Sequence, residues 1–345
     1  MAAGKFFAAH GRPGCYHPPV MPPSLPSAGA PGAPLAPPSF AEAHRRLARW
    51  QARAAEVMVG QSQPIRRIFA CLLARGHVLL EDVPGVGKTT LARTIGKVLG
   101  VAMGRIQFTA DLLPSDIIGV QVLNTDGKLA FRPGPLFHPL LLADEINRAS
   151  PKAQSAMLEA MAERRVSVEF DSYPLPEIFT VLATQNPSEQ HGVYPLPESQ
   201  LDRFLLRTSL GYPSAADEVS LLLAPEAAEA ALAALEPETD ADGLRACQRC
   251  AAQVHLGNDV ADYVVRLAAA SRAHPMVRLG LSPRATLAMA AAARAWALLE
   301  GREYVLADDV QALSPSVFAH RLMLAEGAQG LAVVDELLAD VAVPR

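Results

Sequence analysis

Residues 84–90 read Pro-Gly-Val-Gly-Lys-Thr-Thr, a set of residue types suited to binding the phosphates of a nucleotide. Gly85 and Gly87 let backbone N–H groups turn toward a β-phosphate, and a helix beginning at Lys88 adds the positive end of its dipole. Lys88 would lie between the β- and γ-phosphates, and the Thr89 hydroxyl would bind Mg²⁺. The general pattern, Gly-x4-Gly-Lys-[Ser/Thr], starts with a glycine where this chain has Asp82. The predicted nucleotide-binding residues are Pro84, Gly85, Val86, Gly87, Lys88, Thr89 and Thr90.

Two carboxylates follow a short apolar run in Leu140-Leu-Leu-Ala-Asp144-Glu145. The run predicts a buried strand, and ligands of open α/β sheets bind at the carboxyl ends of their strands. We expect Asp144 to order the magnesium together with Thr89, and Glu145 to polarise the attacking water. Taken alone, an Asp-Glu pair is as typical of a solvated surface, but its place about 55 residues after Lys88 favours the site.

Thr184-Gln185-Asn186-Pro187 also follows an apolar run. Asn186 is predicted to hydrogen-bond the γ-phosphate or the attacking water, although Asn-Pro is also typical of an ordinary turn. The sequence alone is compatible with a site residue and with an ordinary turn.

Hydrolysis needs cations for the charge on the transferring phosphoryl group, and an arginine from a neighbouring subunit would couple hydrolysis to assembly. The candidates are Arg203, in Leu201-Asp-Arg-Phe204, and Arg284, at a predicted helix start. Either arginine is, by itself, more often a surface ion-pair partner. The rivals for this role are Arg207, Arg148, Arg164 and Arg165.

Strands and helices alternate around these residues, which predicts an α/β fold with a parallel sheet between helices. We expect strands at 77–81, 105–109, 140–144 and 179–185, and helices at 41–59, 64–75, 88–99 and 152–164. Two shorter stretches, 119–131 and 166–173, have the pattern of inserted hairpins.

The character of the chain changes after residue 213, where only helices are expected. They are predicted at about 215–223, 226–234, 241–255, 259–273, 283–300, 307–313 and 328–341. The N-terminal 40 residues are rich in Pro, Ala, Gly and Ser, so we expect a disordered tail. The predicted domains are therefore a tail (1–40), a nucleotide-binding core (41–212) and an all-helical lid (213–345).

The bulk composition narrows the function classes. A net charge of −4 does not suit a protein that wraps nucleic acid, so no nucleic-acid partner is expected. The sequence contains no uncharged apolar run long enough for a transmembrane helix, and its N-terminus lacks the apolar region of a secretion signal. The four cysteines are few and scattered, which favours a reducing, cytoplasmic location.

Several sequence blocks, in this order along the chain, resemble those of the AAA+ ATPases, and specifically of the MoxR family. They begin with Glu81-Asp-Val-Pro-Gly-Val-Gly-Lys-Thr89, Phe108-Thr-Ala-Asp-Leu-Leu-Pro-Ser-Asp-Ile-Ile-Gly119 and Gly134-Pro-Leu-Phe137. They continue with Leu141-Leu-Ala-Asp-Glu-Ile-Asn-Arg-Ala149, Ala183-Thr-Gln-Asn-Pro187 and Tyr194-Pro-Leu-Pro-Glu-Ser-Gln-Leu-Asp-Arg-Phe204. The resemblance covers the chain from about residue 41 to its end, and Asp82 is similar to the usual MoxR version of the loop.

The resemblance implies a role for each candidate residue. Lys88 and Thr89 would form Walker A, Asp144 and Glu145 Walker B, and the remaining residues would be sensor 1 (Asn186), the arginine finger (Arg203, with Arg207 as the alternative) and sensor 2 (Arg284). It also implies a ring, usually a hexamer, with ATP between subunits. The segments 112–129 and 165–175 would be its working surfaces.

By the same resemblance the chain would remodel, activate or insert metals or cofactors into a protein client, often with a von Willebrand factor A domain partner. Two alternatives stay open: the motor subunit of a metal chelatase, and a nucleotide-gated scaffold with little hydrolysis. A nucleic-acid motor is a weaker fourth hypothesis, because the second hairpin carries several acidic residues.

Overall fold

Helices and strands alternate through the first part of the chain, as the sequence predicts. The computed structural model describes residues 37–125, 127–169, 171–186 and 193–344. In chain order its elements are α1 (Phe40–Val57), α2 (Ser62–Leu73), β1 (Val78–Glu81), α3 (Lys88–Val98), β2 (Met103–Gln107), α4 (Pro114–Ile118), β3 (Gly119–Leu123), β4 (Leu129–Pro133), β5 (Leu140–Asp144), α5 (Pro151–Glu163), β6 (Arg165–Val168), β7 (Asp171–Pro174), β8 (Thr180–Gln185), α6 (Glu198–Leu201) and β9 (Leu206–Thr208).

A five-stranded parallel sheet with the order β2-β5-β8-β1-β9 lies at the centre. Strand β1 pairs with β8 on one side and with β9 on the other, so the first strand in sequence is interior. Because all five strands run the same way, the carboxyl ends of β1, β5 and β8 meet at one edge of the sheet. The fold therefore brings the segments after Glu81, Asp144 and Gln185 together.

The two faces of the sheet bury alternate residues of each strand, as a pleated strand requires. Leu80, Leu142 and Leu182 pack into a large apolar cluster with α1, α2 and α3. Their neighbours in sequence, such as Leu79 and Leu141, pack into a second cluster with α5. Helices therefore cover both faces, which confirms the predicted α/β architecture.

Helix α1 shows how sequence periodicity produces this packing. Its buried residues recur at spacings of three and four, which places them on one face of the helix: Ala43, Leu47, Trp50, Ala54 and Val57. The Ser39 hydroxyl accepts a hydrogen bond from the backbone N–H of Glu42, as an N-cap does.

The two predicted hairpins are confirmed as β3–β4 and β6–β7. They contact one another through a stacked pair of rings, Phe131 and Tyr173, whose centroids lie 4.1 Å apart. The side-chain amide of Gln121 also donates to the Tyr173 hydroxyl at 3.4 Å. The hairpins therefore form one joint surface.

The C-terminal part is helical, as predicted. Its elements are α7 (Ala215–Leu223), α8 (Ala227–Ala234), α9 (Ala241–Gln253), α10 (Asn258–Ala273), β10 (Val277–Leu279), α11 (Pro283–Leu299), α12 (Ala307–Phe318), β11 (Met323–Leu324) and α13 (Gly330–Asp340). The antiparallel ribbon of β10 and β11 is an addition that the sequence does not predict, because two or three residues are too few to show alternation.

All described residues belong to one compact unit, Leu35–Arg345. Residues 1–36 of the predicted tail lie outside the described residues, so the predicted domain boundaries stay predictions. No helix in the described part of the chain combines the length and apolarity needed to cross a membrane.

Candidate functional site

The loop after β1 has the backbone that its glycines predict. Gly85 and Gly87 have φ angles of 85° and 92°, in the left-handed region that other residues rarely adopt. A side chain at Gly85 would meet nothing within 4 Å, so the space above the loop is open. Helix α3 begins directly afterwards with no side-chain cap, which leaves its first N–H groups directed at this space.

Asp144 and Glu145 stand at the end of β5, and Thr184 of the neighbouring β8 links them. The Thr184 hydroxyl donates to Asp144 Oδ1 at 2.7 Å and accepts from the Glu145 backbone N–H at 2.8 Å. Glu145 has φ 56° and ψ 49°, a left-handed conformation that costs free energy in a non-glycine residue. This turn directs the two consecutive carboxylates to different partners at the same edge of the sheet.

A cavity of about 340 Å³ joins these features. It is lined by Pro84, Gly85, Gly87, Lys88, Thr89, Thr90, Asp144, Glu145 and Asn186. The structure thus brings three separated strand ends around one space, and it includes every predicted nucleotide and metal residue except Val86.

The cavity fits a nucleotide triphosphate with Mg²⁺. Magnesium prefers hard oxygen ligands, and the Thr89 hydroxyl and the Asp144 carboxylate supply them beside the lysine. Within the chain, Lys88 Nζ donates to the backbone oxygens of Asp82 (2.9 Å) and Val83 (3.3 Å). Arg105 of β2 pairs with Asp144 Oδ2 at 2.8 Å.

Glu145 is held in a similar way by β2. The side-chain amide of Gln107 donates to Glu145 Oε2 at 2.7 Å, and Arg148 Nε lies 3.2 Å from the same oxygen. The carboxylate is partly exposed, with 29% of its side-chain surface accessible. It is therefore reachable by water while its orientation is fixed by two donors.

A second cavity, of about 410 Å³, continues from the glycine loop and is more apolar. Val86 lines it, together with residues that the sequence did not single out: Met58, Gln61, Tyr212, Pro213 and Leu221. The side-chain oxygen of buried Gln61 has no hydrogen-bond partner. Shared loop residues, among them Gly85 and Gly87, connect the two cavities.

The predicted arginines lie elsewhere. Arg203 and Arg284 line a separate cleft of about 330 Å³ beside α5 and α11, together with Arg164 and Arg321. Arg203 donates to the backbone oxygen of Leu158. Arg284 Nη1 is 4.0 Å from Asp202 Oδ2, and more than half of its side-chain surface is exposed. The structure therefore does not bring these two arginines to this chain's own phosphate cavity.

The rival arginines have other contacts. Arg207 pairs with Glu81 across β9 and β1 at 3.0 Å, and Arg165 donates to the Ser172 hydroxyl. Both lie outside the lining of the phosphate cavity.

The cysteines form no metal centre in the described part of the chain, where no cluster of three or more His, Cys, Asp and Glu side chains suited to a metal occurs. Cys247 and Cys250 are buried in α9. Burial raises the pKa of the Cys247 thiol to about 12, which disfavours the thiolate that binds zinc.

Comparison with known proteins identifies the two parts of the chain. Residues 77–206 match the family model for the ATPase family associated with various cellular activities (AAA), and residues 269–340 match that for the AAA lid domain. The chain is 46% identical to the uncharacterised protein YeaC of Bacillus subtilis over 84% of this chain and 92% of YeaC. It is 43% identical to Chaperone MoxR1 of Mycobacterium tuberculosis, covering 84% of this chain and 78% of that protein.

A solved structure has the same fold. A crystal structure of a protein from Cytophaga hutchinsonii, described as a candidate ATPase, superposes with a TM-score of 0.81 at 31% identity. The match covers 89% of this chain and 97% of the other.

Proposed function

Because the chain belongs to the MoxR family of AAA+ ATPases, we propose that it hydrolyses ATP with Mg²⁺ and uses the energy to remodel or mature a protein client. The observation that carries this proposal is the cavity in which Lys88, Thr89, Asp144, Glu145 and Asn186 meet. A nucleotide-binding scaffold would not need Glu145 turned toward water at the expense of a left-handed backbone.

Each residue has a distinct task. The N–H groups at the start of α3 and the Lys88 ammonium bind the β- and γ-phosphates, and Thr89 and Asp144 hold the metal. Bound Mg²⁺ neutralises phosphate charge and polarises the phosphoryl oxygens. Glu145 accepts the proton of the attacking water as general base, and Asn186 orients that water or the γ-phosphate. The apolar cavity at Met58 and Tyr212 receives the adenine.

A neighbouring subunit completes the site. The transferring phosphoryl needs more positive charge than Lys88 supplies, and Arg203 and Arg284 lie together in a different cleft. We assign them to the nucleotide of the adjacent subunit, with Arg203 as the finger. A head-to-tail contact of this kind forms a ring when the rotation between subunits closes, and the family resemblance suggests a hexamer.

The client is proposed to be a protein. One relative carries the name chaperone, the net charge is −4, and the joint hairpin surface carries exposed apolar residues, Leu123 and Leu129. A protein that moves along nucleic acid would be expected to have a basic surface. Activation or cofactor insertion, a von Willebrand factor A domain partner and a cytoplasmic location belong to the same proposal.

Lys88→Ala tests the proposal at its first step. We expect the wild-type protein to bind a fluorescent ATP analogue and to release phosphate from ATP, and we expect Lys88→Ala to lose both. Lys97→Ala is the matched control, because Lys97 lies on the same helix but donates to the backbone oxygens of Leu232 and Ala233. A wild-type protein that ignores ATP, or a Lys88→Ala variant that binds it normally, would overturn the proposal.

A further inference from the structure

Asp82 stands where the general phosphate-binding pattern has a glycine, and the structure shows what its side chain does. Asp82 does not have a positive φ, so its backbone does not require glycine. Its side chain is buried, with 6% exposed. One carboxylate oxygen accepts from the backbone N–H of Leu210 at 2.5 Å, and the other accepts from the N–H of Gly211 at 3.1 Å. Hydrogen bonds to a charged acceptor are among the stronger ones in proteins.

These two bonds lie just beyond the end of the sheet. The pairing of β1 with β9 ends at Leu80 and Thr208. Past that point the chain leaves the core through Leu210 and Gly211, whose φ is 70°, and continues through Tyr212 and Pro213 into α7. The Asp82 carboxylate therefore fixes the segment 210–213 where the strand ladder no longer does so.

Helix α7 has little packing of its own. None of its residues is buried, and Leu222 and Leu223 are 78% and 82% exposed. Its Asp217 approaches Gly60 so closely that a side chain at that glycine would collide with it at 2.5 Å. Tyr212, Pro213 and Leu221 line the apolar cavity assigned to adenine. Segment 210–213 and α7, which have few contacts, therefore form one wall of that cavity.

The backbone of Asp82, in contrast to its side chain, makes contacts with the phosphate loop and the central sheet. Its backbone oxygen accepts from Lys88 Nζ at 2.9 Å, and its N–H donates to the backbone oxygen of Gln185 at 3.1 Å. A single residue therefore connects the lysine of the phosphate cavity, the strand that precedes Asn186, and the segment that carries the wall of the adenine cavity.

We propose that Asp82 is a positioning residue that fixes segment 210–213 and α7 against the adenine cavity, so that the base site is formed before ATP arrives. The inference rests on the proposed binding of ATP. A ligand that contacts both cavities benefits from this preorganisation, whereas a ligand that contacts only the phosphate loop does not.

The test compares two ligands on the full chain. A non-hydrolysable ATP analogue is titrated against wild type, Asp82→Gly and Asp82→Asn, and tripolyphosphate, which lacks the nucleoside, is measured by competition. For Asp82→Gly we expect the affinity for the ATP analogue to fall about tenfold and that for tripolyphosphate to change by less than about twofold. Asp82→Asn should have an intermediate effect, because its amide oxygen still accepts a hydrogen bond.

Asp309→Asn is the control, since this aspartate is also buried and also accepts a backbone N–H bond, from Leu306, besides pairing with Arg302, but lies outside the lining of both cavities. It should leave both affinities unchanged. Equal weakening of both ligands by Asp82→Gly, or weakening of neither, would overturn the inference.

Hydrogen exchange without any ligand separates this inference from the proposed function. Asp82→Gly and Asp82→Asn should speed amide exchange in residues 210–223 relative to wild type and to Asp309→Asn. Faster exchange in a protein that does not bind ATP would refute the proposed function while supporting the anchoring role of Asp82. Unchanged exchange in a protein that does bind ATP would refute only the anchoring role.

Discussion

The side-chain amide of Gln107 donates a 2.7 Å hydrogen bond to the carboxylate of Glu145, so β2 restrains the proposed general base on β5. A donor bound to this carboxylate competes with the attacking water for the same oxygens. Catalysis by Glu145 therefore depends on how this bond is kept or released.

Replacing Gln107 should raise the rate of hydrolysis. We expect Gln107→Ala to increase kcat about threefold, because the carboxylate is released from a donor that competes with the attacking water. KM should not change, since Gln107 is absent from the lining of the phosphate cavity. Steady-state phosphate release measures both, and Gln121→Ala is the control, because the Gln121 amide donates to the Tyr173 hydroxyl instead. A large fall in kcat would show instead that Gln107 orients Glu145 productively.

Arg105 should compete with magnesium. Its guanidinium pairs with Asp144 Oδ2 at 2.8 Å, and half of the arginine side chain is exposed, so the pair is screened and modest in strength. We expect Arg105→Gln to lower the Mg²⁺ concentration needed for half-maximal ATP-analogue binding by about fivefold.

The control for this prediction is Arg93→Gln, which removes an arginine that pairs with Glu229 outside the phosphate cavity. The same magnesium requirement in Arg105→Gln and wild type would contradict the competition.

Hydrolysis should be restored by mixing two inactive variants. Arg203 lines a cleft separate from Glu145, and in the proposed ring each complete site combines two subunits. We expect Arg203→Ala and Glu145→Gln to be nearly inactive alone. Mixed in equal amounts, they should recover roughly a quarter of wild-type turnover, since random neighbours pair the two intact halves at roughly one interface in four. No recovery in mixtures shown to exchange subunits would contradict the shared site, and activity of Arg203→Ala alone would favour Arg207.

Acid should destabilise the fold through His77. Burial, and secondarily the charge of Arg164, lowers the pKa of His77 from 6.5 to about 3. Between pH 6.5 and 3 the unfolded chain therefore binds a proton at His77 that the folded protein does not bind. The contribution of neutral His77 to stability is complete above pH 6.5 and is lost as the pH falls toward 3. Its Nδ1 accepts from the backbone N–H of Val181, a bond that a glutamine oxygen can also accept.

His77→Gln should lessen this acid sensitivity. Between pH 6 and 4 we expect the unfolding free energy of wild type to fall faster than that of the variant by about 1.4 kcal/mol per pH unit. Urea unfolding at several pH values measures both slopes, with pH 8 as the reference. Parallel slopes would mean that His77 does not carry the effect.

The sequence predicted the elements whose patterns are local. The apolar run before Asp144 predicts a buried strand at 140–144, and β5 has those bounds. The glycine turn before Lys88 likewise predicts the start of α3. In both cases the residues that define the element are consecutive, so no distant partner is needed to recognise it.

Features formed by segments that are distant in the sequence could not be predicted from it. Strand β9 has three residues, too few for a periodicity, and is defined by its pairing with β1. The apolar cavity joins Met58 to Tyr212, more than 150 residues away, and neither carries a motif. Arg203 and Arg284 could be named as cations for phosphate, but only the fold separates them from the chain's own loop.

Glu145→Gln tests the central claim most directly, namely that this carboxylate activates water on an ATP held by Lys88. The amide keeps the shape of the side chain but accepts a proton far less readily. We expect turnover to fall about 10²- to 10⁴-fold, with the ATP affinity changed by less than about threefold. Turnover close to that of wild type, measured on protein that binds ATP normally, would contradict the account.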